Sequence, residues 1–242
     1  VTLIECEDRD SWIGLFADEF VAAAKLSKAA RRPSLLLCLA GGSTPEPIYR
    51  ALAALPDPGL AVELWLGDER VVPRGDPARN GDMVARAFSG APWKPRLHQW
   101  PSGAFEQGNG AEPPDLEASA RRDAAVYAAR LAESTGGAPA FDLAILGLGA
   151  DGHTASLFPG EAALDEKEAL TAVTRAPAPP GLRMTLTYPA LALSRRTLFA
   201  VSGSEKARVA HALAAEDPAL PASAAGGADR AIVYLSGGPS PD

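Results

Sequence analysis

The stretch Phe141–Gly160, FDLAILGLGADGHTASLFPG, decides how the rest of the chain is read. Its opening, FDLAIL, is a short apolar run closed by glycine, the pattern of a strand buried on both faces. Gly147, Gly149 and Gly152 then follow in the order G-x-G-x-x-G, which fits either a dinucleotide-binding turn or a frame for His153. A dinucleotide turn needs a long helix after the glycines and an acidic residue about 20 positions further on for the ribose. Asp165, Glu166 and Glu168 lie near that distance, so spacing alone leaves the dinucleotide reading open. Two features oppose it. Asp151 would set a carboxylate beside the pyrophosphate, and Phe158-Pro159-Gly160 stops any helix after about one and a half turns.

The same grammar recurs outward from this stretch. SLLLCL (Ser34–Leu39) runs into AGGSTP, AVELWLG (Ala61–Gly67) into DERVVP, and RTLFAVSG (Arg196–Gly203) into SEKARVAHAL. TLIEC near the N-terminus and AIVYL near the C-terminus read as further strands. Ile13, Phe16, Phe20 and Ala24 recur at helical spacing until Pro33, and helices are expected around Ala78–Phe88 and Ala118–Glu133. Alternating strands and helices predict an α/β fold: a Rossmann-like, mostly parallel sheet with helices on both faces, forming a single domain over residues 1–242. Ligands of such sheets bind beyond the carboxyl ends of the strands, so the polar loops after the apolar runs are the candidate site walls.

Composition narrows the function classes. At 242 residues and 47% hydrophobic, the chain can bury a sizeable core. Its formal charge of -7 and the lack of a long basic run argue against a nucleic-acid footprint. The apolar runs are strand-sized, well short of the roughly 18 residues of a membrane span. VTLIECEDRD carries acidic residues where a secretion signal has a basic region, so a cytoplasmic location is expected. Cys6 and Cys38 form no C-x-x-C, which predicts two buried free thiols. PSGAFEQGNGAEPPDL (Pro101–Leu116) reads as a long surface loop.

The loops carry the candidate chemistry. In GGSTP, Gly41 and Gly42 would let the backbone approach a ligand, while Ser43, Thr44 and the helix-start N–H groups offer donors to an anion. An ordinary turn with Thr44 as N-cap and Pro45 in the first helical turn is the plainer alternative. Asp68, Glu69 and Arg70 form either a solvated loop or part of a crevice in which Arg70 holds an oxyanion. Ser202 and Glu205 match a capping box. Lys206, a cation opposing a helix dipole, is easier to understand beside a bound anion than alone. Arg183 opens a polar-apolar alternation that reads as a strand. His153 is the candidate general base, since an imidazole titrates near neutrality, and Asp151 lies close enough to orient it. An Asp-x-His pair could also ligate metal, but His98 and His211 supply no evident third ligand, and no metal or other cofactor is expected.

In order along nearly the whole chain, LAGGSTPEPIYRAL, LWLGDERVVP, ARNGDMVARAF, FDLAILGLGADGHTASLFPG, LRMTLTYPAL and VSGSEKA resemble the 6-phosphogluconolactonases of the glucosamine-6-phosphate isomerase/6-phosphogluconolactonase family. The resemblance implies a metal-free cytosolic hydrolase of the oxidative pentose phosphate pathway, acting on a small phosphorylated sugar lactone, as a monomer or weak homo-oligomer. It implies His153 as general base supported by Asp151, the 6-phosphate on Gly42, Ser43, Thr44, Arg183 and Lys206, and Asp68 and Arg70 against substrate oxygens. Deaminase relatives resemble DEY at Asp68–Arg70 and DGHIAFNEPG at Asp151–Gly160. Their motif's Glu falls on Phe158 here, which favours the hydrolase. The last strand, AIVYL, lacks the family's usual Trp and Asp. A deaminase-like enzyme, a non-catalytic sugar-phosphate-binding module and an NAD-binding protein are the alternatives.

Overall fold

The computed structural model describes residues 1–106, 115–135 and 141–237. In chain order the first half comprises β1 (Thr2–Cys6), α1 (Arg9–Ala29), β2 (Ser34–Leu39), α2 (Glu46–Ala53), β3 (Ala61–Leu66), β4 (Asp68–Arg70), α3 (Asn80–Phe88), β5 (Arg96–His98) and α4 (Gly103–Glu106). The second half comprises α5 (Leu116–Ser134), β6 (Leu143–Gly147), β7 (Thr171–Arg175), β8 (Leu182–Leu186), α6 (Tyr188–Leu191), β9 (Arg196–Ser202), α7 (Ala207–Ala214) and β10 (Asp229–Leu235).

Seven strands form one sheet in the order β1-β10-β9-β6-β2-β3-β5, and every pairing within it is parallel. All six residues of β2 are buried, as its continuous apolar run requires of a central strand covered on both sides. α1 begins where the Asp8 carboxylate accepts the Ser11 N–H at 2.8 Å, and it buries Trp12, Phe16, Phe20 and Ala24 at four-residue intervals. α1 packs on α2 and α2 on α3, while α5 lies against β7 and β8. Cys6 and Cys38 are buried and unpaired. Among the described residues no helix is long and apolar enough to cross a membrane.

The chain leaves β2 toward β3 and β5 on one side and then returns to β6 on the other, so the order reverses between β2 and β6. Two parallel strands whose connections depart in opposite directions leave a crevice at their carboxyl ends. The glycine loops after β2 and β6 therefore face each other across that crevice.

Two expectations are corrected. Asp68–Arg70 is not a solvated loop but the strand β4, antiparallel to β8 in a second sheet of order β4-β8-β7. Its strand character comes from pairing with β8, which no local pattern announces. The alternation beginning at Arg183 is a strand as expected, β8, and it is buried at all five positions. Within Pro101–Leu116, Gly103–Glu106 form α4 and Leu116 opens α5, while residues 107–114 of that expected loop lie outside the described residues.

Candidate active site

A cavity of about 410 Å³ opens at the carboxyl ends of the central strands. The loop after β2 contributes Gly42, Ser43 and Thr44, β4 contributes Asp68 and Arg70, and β8 contributes Arg183. His153 enters from the loop after β6, and Lys206 from the turn that precedes α7. Eight of the nine residues singled out in the sequence thus line one space. The ninth, Asp151, reaches it through His153.

His153 is built for proton transfer by its own loop. Its Nδ1–H donates to Asp151 Oδ1 at 2.5 Å, and its backbone N–H donates to the same oxygen at 3.2 Å. A carboxylate accepts only, so it selects the tautomer protonated on Nδ1 and leaves the Nε2 lone pair as the ring's basic site. The Phe158 ring lies 4.5 Å from the imidazole, centroid to centroid, and restricts the ring's retreat. Burial raises the Asp151 carboxyl, but the hydrogen bond and charge of His153 outweigh it and hold Asp151 below its ordinary value.

The glycines of the opening motif serve this arrangement. A Cβ at Gly149 would lie 2.1 Å from His153 Nδ1 and 2.6 Å from Asp151 Oδ1, so only glycine lets the pair close over the backbone. The Gly149 N–H donates to the His153 carbonyl at 2.8 Å and completes the turn. No helix follows β6. The chain passes instead through Thr154–Leu157 to a single 3₁₀ turn at Ala162–Asp165, which removes the dipole that a pyrophosphate would need.

Another part of the lining is cationic. Arg183 is 7% exposed, and among the described residues its guanidinium makes one long hydrogen bond, 3.5 Å, to the Leu182 carbonyl. Burial, and then the neighbouring charge of Arg70, lower its pKa against the opposing pull of Asp68 and Glu69. Burial likewise holds the half-buried Lys206 ammonium below its ordinary value, with Glu205 opposing. A buried guanidinium and a desolvated ammonium beside one cavity, short of carboxylate partners, make an anion site. α2 adds to it: Pro45 occupies the N-cap position and no side chain caps the helix, so its first N–H groups remain available beside Ser43 and Thr44.

That geometry corrects two local expectations. Thr44 is not the N-cap of α2. Ser202 and Glu205 form no capping box, because Ser202 is the last residue of β9 and Gly203, at φ 103°, leads into a 3₁₀ turn without a side-chain cap.

Asn80 and Ser156 were not singled out in the sequence, and Glu69 was noted only as part of the charged run Asp68–Arg70. Ser156 Oγ donates to Asp68 Oδ2 at 2.6 Å, and Asn80 Nδ2 donates to Asp68 Oδ1 at 3.2 Å. Glu69 is fully buried and accepts the N–H groups of Arg70, Asn80 and Gly81 at 2.7–2.8 Å, with Arg79 Nη2 at 3.7 Å. Burial pushes the Glu69 carboxyl up, and Arg79 and the three N–H groups only partly offset it. Strand and helix patterns signal none of these contacts, which join β4 to the start of α3 and, through Ser156, to the loop after β6.

Residues 7–241 match the glucosamine-6-phosphate isomerases/6-phosphogluconolactonase family. The chain belongs to that family. Among family members it is 36% identical over 220 residues to the 6-phosphogluconolactonase of Streptomyces coelicolor, a match spanning 85% of this chain and 81% of that one. To the 6-phosphogluconolactonase of Mycobacterium tuberculosis it is 35% identical over 233 residues, spanning 94% and 92%. The solved structure of the 6-phosphogluconolactonase from Trypanosoma brucei superposes with a TM-score of 0.82 at 25% identity, covering 98% of this chain and 96% of that one. That of Thermotoga maritima superposes with a TM-score of 0.73 at 26% identity, covering 97% and 98%. The family's mostly parallel α/β sheet is therefore this chain's fold, and the family's two chemistries define the question the cavity must answer.

Proposed function

We propose that the chain hydrolyses 6-phospho-D-glucono-1,5-lactone to 6-phospho-D-gluconate in the oxidative pentose phosphate pathway, with His153 as general base, and that it does so in the cytoplasm. The observation that carries the reading is that His153, paired with Asp151, lines one cavity together with Arg183 and Lys206. A base and an anion cradle in one cavity suit an ester whose far end bears a phosphate.

The 6-phosphate rests against Ser43, Thr44, Arg183 and Lys206 and the N–H groups around Gly42, which sets the lactone ring toward His153 and Arg70. Nε2 of His153 takes a proton from a water molecule as the water oxygen bonds to the lactone carbonyl carbon. Asp151 stabilises the imidazolium that forms, and Arg70 stabilises the oxyanion of the tetrahedral intermediate. The intermediate collapses by breaking the bond from that carbon to the ring oxygen. The imidazolium returns its proton to the departing oxygen, which becomes the C5 hydroxyl, and the product acid ionises to solvent. Asp68, fixed by Ser156 and Asn80, accepts a substrate hydroxyl.

Phe158 supports hydrolysis over deamination: its buried ring packs on His153 where deaminase relatives carry a carboxylate. The test is the rate of lactone opening above spontaneous hydrolysis, run beside ammonia release from glucosamine 6-phosphate. Added lactone opening without ammonia is expected. Ammonia release, or binding of 6-phosphogluconate without turnover, would replace this function with one of its alternatives.

A further inference from the structure

We propose that Asn80 is a positioning residue for the proposed reaction, a clamp that holds Arg70 and Asp68 in register at the reacting end of the cavity. The residue is 2% exposed, and its side chain meets opposite charges at its two ends. Oδ1 accepts from Arg70 Nη1, and Nδ2 donates to the Asp68 carbonyl at 3.0 Å and to Asp68 Oδ1 at 3.2 Å. The orientation of the amide is forced, since a guanidinium only donates and a carboxylate only accepts. Both ends are thereby occupied, and Asn80 acts through its neighbours. A carboxylate at this position would satisfy Arg70 but face Asp68 with like charge, and an apolar side chain would satisfy neither.

The clamp has its own support. Glu69 takes the backbone N–H of Asn80 at 2.7 Å and that of Gly81 at 2.8 Å, pinning the start of α3 beneath the cavity. Arg70 Nη1 also donates to the Ala78 carbonyl at 2.7 Å, so the Nη1 end of the guanidinium is held by protein. Nη2 and Nε donate no hydrogen bond among the described residues and remain for substrate oxygens. Gly41 makes the room: a Cβ there would lie 1.8 Å from Asn80 Oδ1. The first glycine of GGSTP, which also lines the cavity, is therefore required by the amide behind it.

The clamp rests on the proposed lactonase function, and a double-mutant cycle separates the two. In wild type, Asn80→Leu should lower kcat about 10²-fold, the scale of a reacting group misplaced by about an ångström, with a smaller change in KM because Asn80 makes no hydrogen bond to the groups assigned to the phosphate. In an Arg70→Ala background the same substitution should lower kcat no more than about threefold further, since the group it positions is gone. Gly41→Ala displaces the amide without touching its partners and should show the same dependence on Arg70, which covers the case of Asn80→Leu failing to fold. Equal losses in both backgrounds would make Asn80 merely structural and overturn the clamp, as would a kcat near wild type in both single variants. If wild type binds 6-phosphogluconate but opens no lactone, the lactonase function fails, and the clamp, as a device of that reaction, falls with it. A wild type that neither binds nor turns over overturns both.

Discussion

Gly149→Ala is the sharpest perturbation of the catalytic pair, because it alters neither the base nor its carboxylate. The new Cβ would stand 2.1 Å from His153 Nδ1, where non-bonded carbon and nitrogen need well over 3 Å. The imidazole must withdraw by about 1 Å, and Phe158, at 4.5 Å on the ring, limits where it can go. The same Cβ would stand 2.6 Å from Asp151 Oδ1, so the 2.5 Å hydrogen bond cannot survive intact. A shift of about 1 Å at a reacting group is worth roughly 10²-fold in rate. The loop is part-exposed and its displaced atoms are side-chain ends, so little stability is lost. The assay is lactone opening with the spontaneous rate subtracted, together with a thermal melt and a 6-phosphogluconate titration. The expected result is a kcat about 10²-fold down, with the melting temperature and product affinity close to wild type. A kcat within about twofold of wild type would refute the claim that this glycine exists to seat the base, since the displacement should cost far more.

Lys206→Ala should raise KM by about 10- to 100-fold while sparing kcat, the loss expected of one charge-assisted contact to phosphate. Burial holds the Lys206 ammonium below its ordinary 10.5, so it sheds its proton as pH rises through that lowered value. Affinity for 6-phosphogluconate should therefore fall on the alkaline side before pH 10.5, with proton uptake on binding there, which titration calorimetry in buffers of different ionisation enthalpy detects. Asp151→Asn keeps the size of the acceptor but removes its charge, and kcat should drop about 10-fold or more as the imidazolium loses its partner. The native Asp151 carboxyl lies below its ordinary 3.8, so its contribution to stability is present above that value and lost as pH falls through the lowered one; the acid limb of the melting curve should flatten in the variant.

Much of the fold was legible because buried parallel strands leave continuous apolar runs. SLLLCL, AVELWL, LAIL and RTLFAVS all became strands of the central sheet, and their glycine-bearing exits became the cavity walls. The small antiparallel sheet was not legible, since DER is three charged residues whose pairing with β8 is decided across more than a hundred positions. Glu69 was hidden for a related reason. A fully buried carboxylate is rare, and Arg79 and the backbone N–H groups of Arg70, Asn80 and Gly81 make it tolerable. The Ser202–Glu205 box misled because its spacing is common and a left-handed glycine between the two residues breaks the geometry. Gly41 was recognised as needed, but for a ligand; the Asn80 amide that needs it comes from a different part of the chain.

The central claim is that His153 is the base and the phosphate cradle is separate from it. His153→Ala, compared with wild type for both lactone turnover and 6-phosphogluconate affinity, tests the two halves together. A kcat lowered about 10²- to 10⁴-fold with product affinity retained is the expected result. Turnover as fast as wild type would contradict it.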